Sequence, residues 1–148
     1  MASRIKEFQG EYRWLSNFWL CPIEYNGHVY KSVEHAYQAS KATVESDRVW
    51  IANTSTPAGA KHKAKKIALR PEWNMIRVPV MYELVHIKFS SNLELRQKLL
   101  DTGDMILEEG NRWHDLFWGI DLDTGKGQNL LGKLIMQVRD ELRKEVEE

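Results

Sequence analysis

The chain has 148 residues, 43% hydrophobic and 28% charged, and its 21 basic residues balance 21 acidic ones. That is the composition of an ordinary globular protein, and zero net charge argues against a chain whose main task is coating nucleic acid. No apolar run approaches the roughly 20 residues needed to cross a bilayer. No signal-like apolar stretch follows Met1, and Cys21 is the only cysteine. The expectation is a cytoplasmic protein without disulfides, forming one domain over residues 1–148.

In chain order, Ile5 to Phe8 and Tyr12 to Phe18 read as short strands around a turn at Gly10. Cys21, between Leu20 and Pro22, reads as a packing residue rather than a nucleophile. Ile23 to Tyr30 reads as a hairpin through Asn26-Gly27, the dipeptide suited to a tight two-residue turn. Ser32 is the expected N-cap of a helix holding Glu34. A second helix is expected from Thr56-Pro57 through the basic run Lys61, His62, Lys63, Lys65, Lys66 to about Leu69. A third follows Pro79, with Val78, Met81, Tyr82, Val85 and Phe89 at helical spacing. Asn92 caps a fourth, which stops before Gly103. Met105 to Leu107 and Trp118 to Ile120 are short strands. The last helix opens at Asn129 and buries Leu130, Leu131, Leu134, Ile135, Val138 and Leu142. The sum is a helix-rich α+β domain with a few short strands.

Four segments carry residues suited to chemistry. On a helix, Glu34, Tyr37 or Gln38, and Lys41 share one stripe. A carboxylate, an aromatic ring, an amide and an amine together suit a pocket that binds a polar ring and moves a proton. The alternative is a solvated face with a Glu–Lys pair. Ser16-Asn17 before Phe18 is either a turn or a set of ligand-facing donors. The run Glu109-Gly110-Asn111-Arg112-Trp113-His114-Asp115, followed by Trp118-Gly119, concentrates chemically varied residues on a loop. Gly125-Lys126-Gly127-Gln128-Asn129 leads into a helix start, where backbone N–H groups favour an anion; an ordinary turn with an Asn cap is the alternative. His28, His35, His62, His86 and His114 lack short-range ligand spacing, so no metal is expected. The basic run from Lys61 to Arg70 is either a phosphate-facing patch or a solvated helix.

Taken in order, these motifs resemble the NADAR family, named for NAD and ADP-ribose and also called YbiA-like. The matching residues are Gly10-x-Tyr12-x-x-Leu15-Ser16-Asn17-Phe18, Glu34-His35-x-Tyr37-Gln38-Ala39-x-Lys41, Thr102-Gly103-Asp104, Glu109-x-Asn111-x-Trp113-x-Asp115-x-x-Trp118-Gly119, and Gly127-x-Asn129-x-Leu131-Gly132 onward to Arg139. The resemblance spans nearly the whole chain. It implies a compact helix-rich α+β domain and an N-glycosyl hydrolase acting on ribose phosphates, with no cofactor and no membrane partner. Two activities are known in the family. One splits aminopyrimidine intermediates of riboflavin synthesis from ribose phosphate. The other removes ADP-ribose from guanine in DNA, and includes antitoxins paired with DNA ADP-ribosyltransferase toxins. A non-catalytic ADP-ribose or NAD binding module is the third reading.

The resemblance implies Glu34 as the catalytic carboxylate and Asp115 as a second acid or base. Lys41 is either a phosphate ligand or an amine that forms a Schiff base. Phe18, Trp113 and Trp118 are expected as pocket walls. Asn17, Tyr37, Gln38, Asn111 and Gly119 complete the substrate-contacting set, and Lys126 with Asn129 is expected to take phosphate. The segment Ile120 to Thr124 departs from the Gly-rich stretch that often follows Trp-Gly in the family. The Asn111-x-Trp113-His114-Asp115 form of the loop is nearer the ADP-ribosyl-guanine branch.

Overall fold

The computed structural model describes residues 3–147. In chain order its elements are β1 (Arg4–Ile5), a 3₁₀ helix (Gly10–Leu15), β2 (Ile23–Tyr25), β3 (His28–Tyr30), α1 (Val33–Ala39), α2 (Glu45–Ala52), α3 (Pro57–Ala64), α4 (Trp73–Ser91), α5 (Leu93–Asp101), β4 (Ile106–Leu107), β5 (Gly110–Asn111), β6 (Ile120–Asp121) and α6 (Leu130–Glu147). This is the expected helix-rich α+β fold. The chain divides into two compact units, Asn17–Lys88 and the remainder on either side of it. None of the described helices is long and apolar enough to cross a membrane.

In the unit Asn17–Lys88, β2 and β3 form the expected antiparallel hairpin, with Ile23 opposite Tyr30. Asn26 and Gly27 have φ of 49° and 84°, the left-handed pair a tight hairpin turn demands. Ser32 caps α1 by accepting the His35 N–H. Every residue of α1 is buried, because the helix is enclosed by α2, α3 and the hairpin. The solvated-face alternative for Glu34 is therefore wrong. Lys41 also falls outside the helix, which ends at Ala39.

Three helices in this unit differ from expectation. Nothing in the sequence predicted α2. It has no side-chain cap and buries only Ile51, so neither an end signal nor an apolar stripe marks it. Thr56 and Pro57 start α3 as expected, the Thr56 side chain accepting from Gly59. It stops at Ala64 rather than Leu69, since Leu69 pairs with Ala42 in an antiparallel bridge that needs extended backbone. Pro79 lies inside α4 rather than before it. Proline removes one backbone donor, and the helix tolerates the loss because Trp73, Val80, Met81, Leu84 and Val85 bury its inner side.

In the other unit, β1 pairs parallel with β4 and β5 parallel with β6. Only Ile5 of the expected Ile5–Phe8 strand lies in β1. The strand expected over Tyr12–Phe18 is instead the 3₁₀ helix, entered through Gly10 at φ 60°. Tyr12 N–H donates to Gln9 and Ser16 N–H to Arg13, and the turn buries Trp14 edge-on to Phe89 at 6.3 Å. Asn92 caps α5 through the Leu95 N–H. The expected Trp118–Ile120 strand is displaced to Ile120–Asp121. The buried face of α6 includes Gly132 and Arg139, while Leu130 and Leu134 are only half-buried. Arg139 donates to Thr102 Oγ1 and to the Met105 carbonyl, both at 2.9 Å, so the Thr102-Gly103 turn serves as its socket.

Candidate active site

Within Asn17–Lys88, Glu34 and Gln38 lie one turn apart on α1, 7% and 4% exposed. Gln38 Nε2 donates to Glu34 Oε1 at 2.7 Å. That bond fixes which end of the amide faces the carboxylate, and leaves Gln38 Oε1 buried with no hydrogen-bond partner. The Glu34 N–H donates to the Asn17 carbonyl at 3.0 Å, so Asn17 serves here through its backbone. Its side chain approaches Met81 Sδ at 3.5 Å. Phe18 is half-buried beside it.

Tyr37 is buried against Trp73, ring centroids 5.2 Å apart. Lys41 Nζ lies 5.3 Å from the Tyr37 ring centre. Although Lys41 sits in the turn beyond α1, it joins the group the helical spacing suggested. Burial lowers its ammonium pKa; the negative Glu34 opposes that shift, and the positive Lys61 and Arg77 add to it. Lys41 and Gln38 line a pocket of about 290 Å³ together with Lys61, Ala64, Lys65 and Leu69.

His35 holds this helix in place. Its Nε2 lies 2.8 Å from the Thr54 carbonyl and its Nδ1 2.7 Å from Ser32 Oγ. A carbonyl only accepts, so Nε2 carries the proton and Nδ1 accepts from the hydroxyl. Burial lowers the His35 pKa and keeps the ring neutral.

In the second unit, the loop after β5 is organised by Asn111, 1% exposed. Its amide donates to Glu109 Oε2 and to the Asp115 carbonyl, and its oxygen accepts the Asp115 N–H, all at 3.0 Å. Asp115 Oδ1 in turn accepts the N–H groups of Phe117 and Trp118. The carboxylate proposed as an acid or base thus spends one oxygen closing the loop. Trp118 is half-buried, edge-on to Phe117 at 4.7 Å. Trp113 is 56% exposed. A Cβ on Gly119 would overlap Glu109 and the Asn111 amide, so only glycine fits that position.

The start of α6 is not an open anion site at its first amides. The N–H groups of Gln128, Asn129, Leu130 and Leu131 donate to the carbonyls of Leu116, Gly119, Phe117 and Trp118. Asn129, left-handed at φ 52°, accepts from Glu109 N–H and donates to the Leu107 carbonyl, both at 2.9 Å. Its side chain therefore braces the loop, with both ends of the amide engaged by backbone groups. Lys126 is exposed.

The chain as a whole, which carries both the Glu34–Gln38–Lys41 group and the braced loop from Asn111 to Gly119, matches known proteins. The model of the NADAR domain matches residues 5–143. The chain belongs to the NADAR family. An N-glycosidase YbiA of Escherichia coli is 35% identical over 134 residues, covering 89% of this chain and 82% of that protein. The solution structure of E. coli YbiA superposes with a TM-score of 0.88 at 33% identity, over 100% of this chain and 90% of that one. A riboflavin biosynthesis protein of Vibrio vulnificus is 38% identical over 131 residues; the match covers 87% of this chain but only 35% of that longer protein. Cleavage of N-glycosidic bonds is thus the chemistry named among NADAR relatives of this chain.

Sequence reasoning missed two working parts of this NADAR fold. His35 was weighed only as a metal ligand, yet a histidine three residues after a capping serine is placed to meet that hydroxyl. The brace at Asn129 had no local signal, because its partners Leu107 and Glu109 lie some twenty residues away. Among the described residues, no group of three His, Cys, Asp or Glu side chains is placed to hold a metal ion.

Proposed function

We propose that this chain is an N-glycosidase that splits the bond between ribose C1 and an amine nitrogen. The observation that carries the reading is the buried Glu34–Gln38 pair with the depressed amine of Lys41 beside it. Cleavage develops positive charge at C1, which a desolvated carboxylate stabilises. A buried lysine is neutral, and so nucleophilic, at lower pH than an exposed one.

In the route through Lys41, the sugar ring opens at C1 to an imine of the departing base. The Lys41 amine adds to C1, the base leaves as a free amine, and a C=N bond joins C1 to Nζ. Water then adds to that bond, Nζ departs, and the ribose closes with a hydroxyl at C1. Glu34 carries the protons between the two nitrogens and water. Asp115 acts in this proposal by shaping the loop before Trp118.

Two substrate classes fit. The riboflavin-biosynthesis name of one relative favours the first of the family's two activities, on a ribose phosphate bearing an aminopyrimidine. The Asn111-x-Trp113-His114-Asp115 loop favours ADP-ribosyl-guanine in DNA, for which a cognate ADP-ribosyltransferase would be the partner and the cytoplasm the setting. Mass spectrometry of each substrate, incubated with the parent and with Glu34→Gln, separates them. Loss of the sugar mass only with the parent supports the enzyme and names its substrate. Binding of both without loss of mass from either would leave a binding module.

A further inference from the structure

We infer that His35 is a positioning residue for Glu34: its neutral imidazole clamps the start of α1 to the segment after α2, and protonation of the ring releases that end of the helix. The inference rests on the proposed function for the work of Glu34, and on geometry for the clamp. His35 follows Glu34 directly in the chain and is fully buried. Both ends of the clamp are fixed without the ring. Ser32 caps α1, its Oγ accepting the His35 N–H at 3.1 Å. Thr54 lies just beyond α2, where its N–H donates to the Ile51 carbonyl and its hydroxyl to the Trp50 carbonyl, both at 3.1 Å. One imidazole thus joins the cap of the helix that carries Glu34 to the segment leading into α3.

The clamp works only with the ring neutral. Neutral His35 donates from Nε2 to the Thr54 carbonyl and accepts the Ser32 hydroxyl at Nδ1. An imidazolium carries a proton on each nitrogen, so Nδ1 turns from acceptor to donor. The Ser32 hydroxyl proton then loses its acceptor inside the protein, which is costly. The new charge also meets Lys31, whose Nζ donates to the same Thr54 carbonyl at 3.2 Å. Burial is the main reason the ring resists a proton; the Thr54 carbonyl opposes that shift and Lys31 adds to it.

Other ionisable groups on the elements around α1 are engaged elsewhere. On β3, His28 pairs with Glu45 of α2, which also holds Arg48. On β2, Tyr25 donates to Glu83. On α3, Lys61 bears on Lys41, Lys63 donates to the Trp50 carbonyl, and His62 is exposed. Glu34 itself accepts from Gln38. Among the described residues, Lys31 is therefore the charge that bears on the ring. The unfolded chain takes up this proton before the folded chain does. The clamp's contribution is complete above the ordinary histidine range and is lost as pH falls through the lower folded value. Acid loosens α1 at its capped end, where Glu34 stands.

The test follows hydrogen-exchange protection of the α1 amides and kcat on the cleaved glycoside against pH, in the parent, His35→Gln and Lys31→Met. Glutamine keeps an N–H for the Thr54 carbonyl and does not titrate. In the parent, protection from Glu34 to Ala39 should fall over the range in which nitrogen-15 NMR shows the His35 ring gaining its proton, and kcat should fall with it. In His35→Gln that loss of protection should be absent. Its acid fall in kcat should be shallower by about tenfold per pH unit, one proton fewer. Protonation of Glu34 is common to all three proteins and drops out of the comparison. In Lys31→Met a charge opposing the proton is gone, so opening should begin at higher pH. If His35→Gln does not fold, an unmoved transition in Lys31→Met overturns the clamp. The same pH dependence in His35→Gln as in a parent that cleaves also overturns it, and leaves the enzyme. Acid opening that depends on His35, in a parent that cleaves no glycoside, keeps the clamp and removes the enzyme.

Discussion

Gln38 Nε2 donates to Glu34 Oε1 at 2.7 Å in the buried interior of α1. The bond holds the carboxylate in one orientation, and it survives a change of Glu34 to glutamine, whose side-chain oxygen also accepts. Glu34→Gln is therefore expected to keep the fold while removing the carboxylate to which the proposed route assigns proton transfer. The expected loss in kcat is at least about 100-fold, the scale of a positioned acid–base group. Circular dichroism melts beside single-turnover rates check both halves. Turnover within a few-fold of the parent would exclude Glu34 from the chemistry.

Lys41 is judged by an exchange of cation. Lys41→Arg keeps the positive charge but has no amine that can form a Schiff base. In the covalent route it loses at least about 100-fold in kcat; as a mere phosphate ligand it would keep most of its rate. Borohydride added during turnover should leave a sugar-sized mass on the peptide holding Lys41. Because burial lowers the Lys41 pKa, the rate should rise with pH through a value below the ordinary lysine range.

Gly119 is enclosed by Glu109 and the Asn111 amide. Gly119→Ala forces the backbone of the loop apart, at a cost of about 1–3 kcal/mol for overpacking. Thermal melts should show the loss of stability, and the shift of Trp118 should appear as a changed fluorescence maximum. An unaltered melt would mean that the loop yields freely.

Asn129 divides stability from binding. Asn129→Ala removes two hydrogen bonds to backbone groups and leaves a left-handed alanine, an expected cost of about 2–4 kcal/mol. Affinity for ribose 5-phosphate should stay within about twofold, since both ends of the Asn129 amide are already engaged with backbone groups. Urea unfolding and calorimetry on the same variant measure both. A large loss of phosphate affinity in a protein of parental stability would return Asn129 to the binding site.

Lys88 is fully buried, and desolvation pulls its pKa down to about 7. The unfolded chain holds this proton up to the ordinary lysine range, while the folded chain releases it near 7. The unfolded state thus binds more protons across that window, and Lys88 makes stability rise with pH there. The steepest slope is about 1.4 kcal/mol per pH unit for one proton. Below pH 7 both states hold the proton and the contribution is flat. Urea unfolding at pH 6 to 10, for the parent and for Lys88→Met, isolates it by difference. Parallel stability curves would show that Lys88 stays charged.

The hairpin at Asn26-Gly27, the caps at Ser32, Thr56 and Asn92, and the apolar period of α6 were legible in the sequence. Each rests on residues within a few positions of one another, so local stereochemistry decides it. The ordered motifs likewise marked the family, and Glu34, Gln38 and Lys41 as a group. Tertiary structure decided the rest. Pro79 sits within a helix because the burial of Trp73, Met81 and Leu84 outweighs one missing donor. Tyr12 to Leu15 winds into a 3₁₀ turn because that buries Trp14 on Phe89. Asn129 is a brace because strands far away in sequence present it with a carbonyl and an N–H. Burial and long-range hydrogen bonds depend on which segments meet, and no window of sequence contains that information.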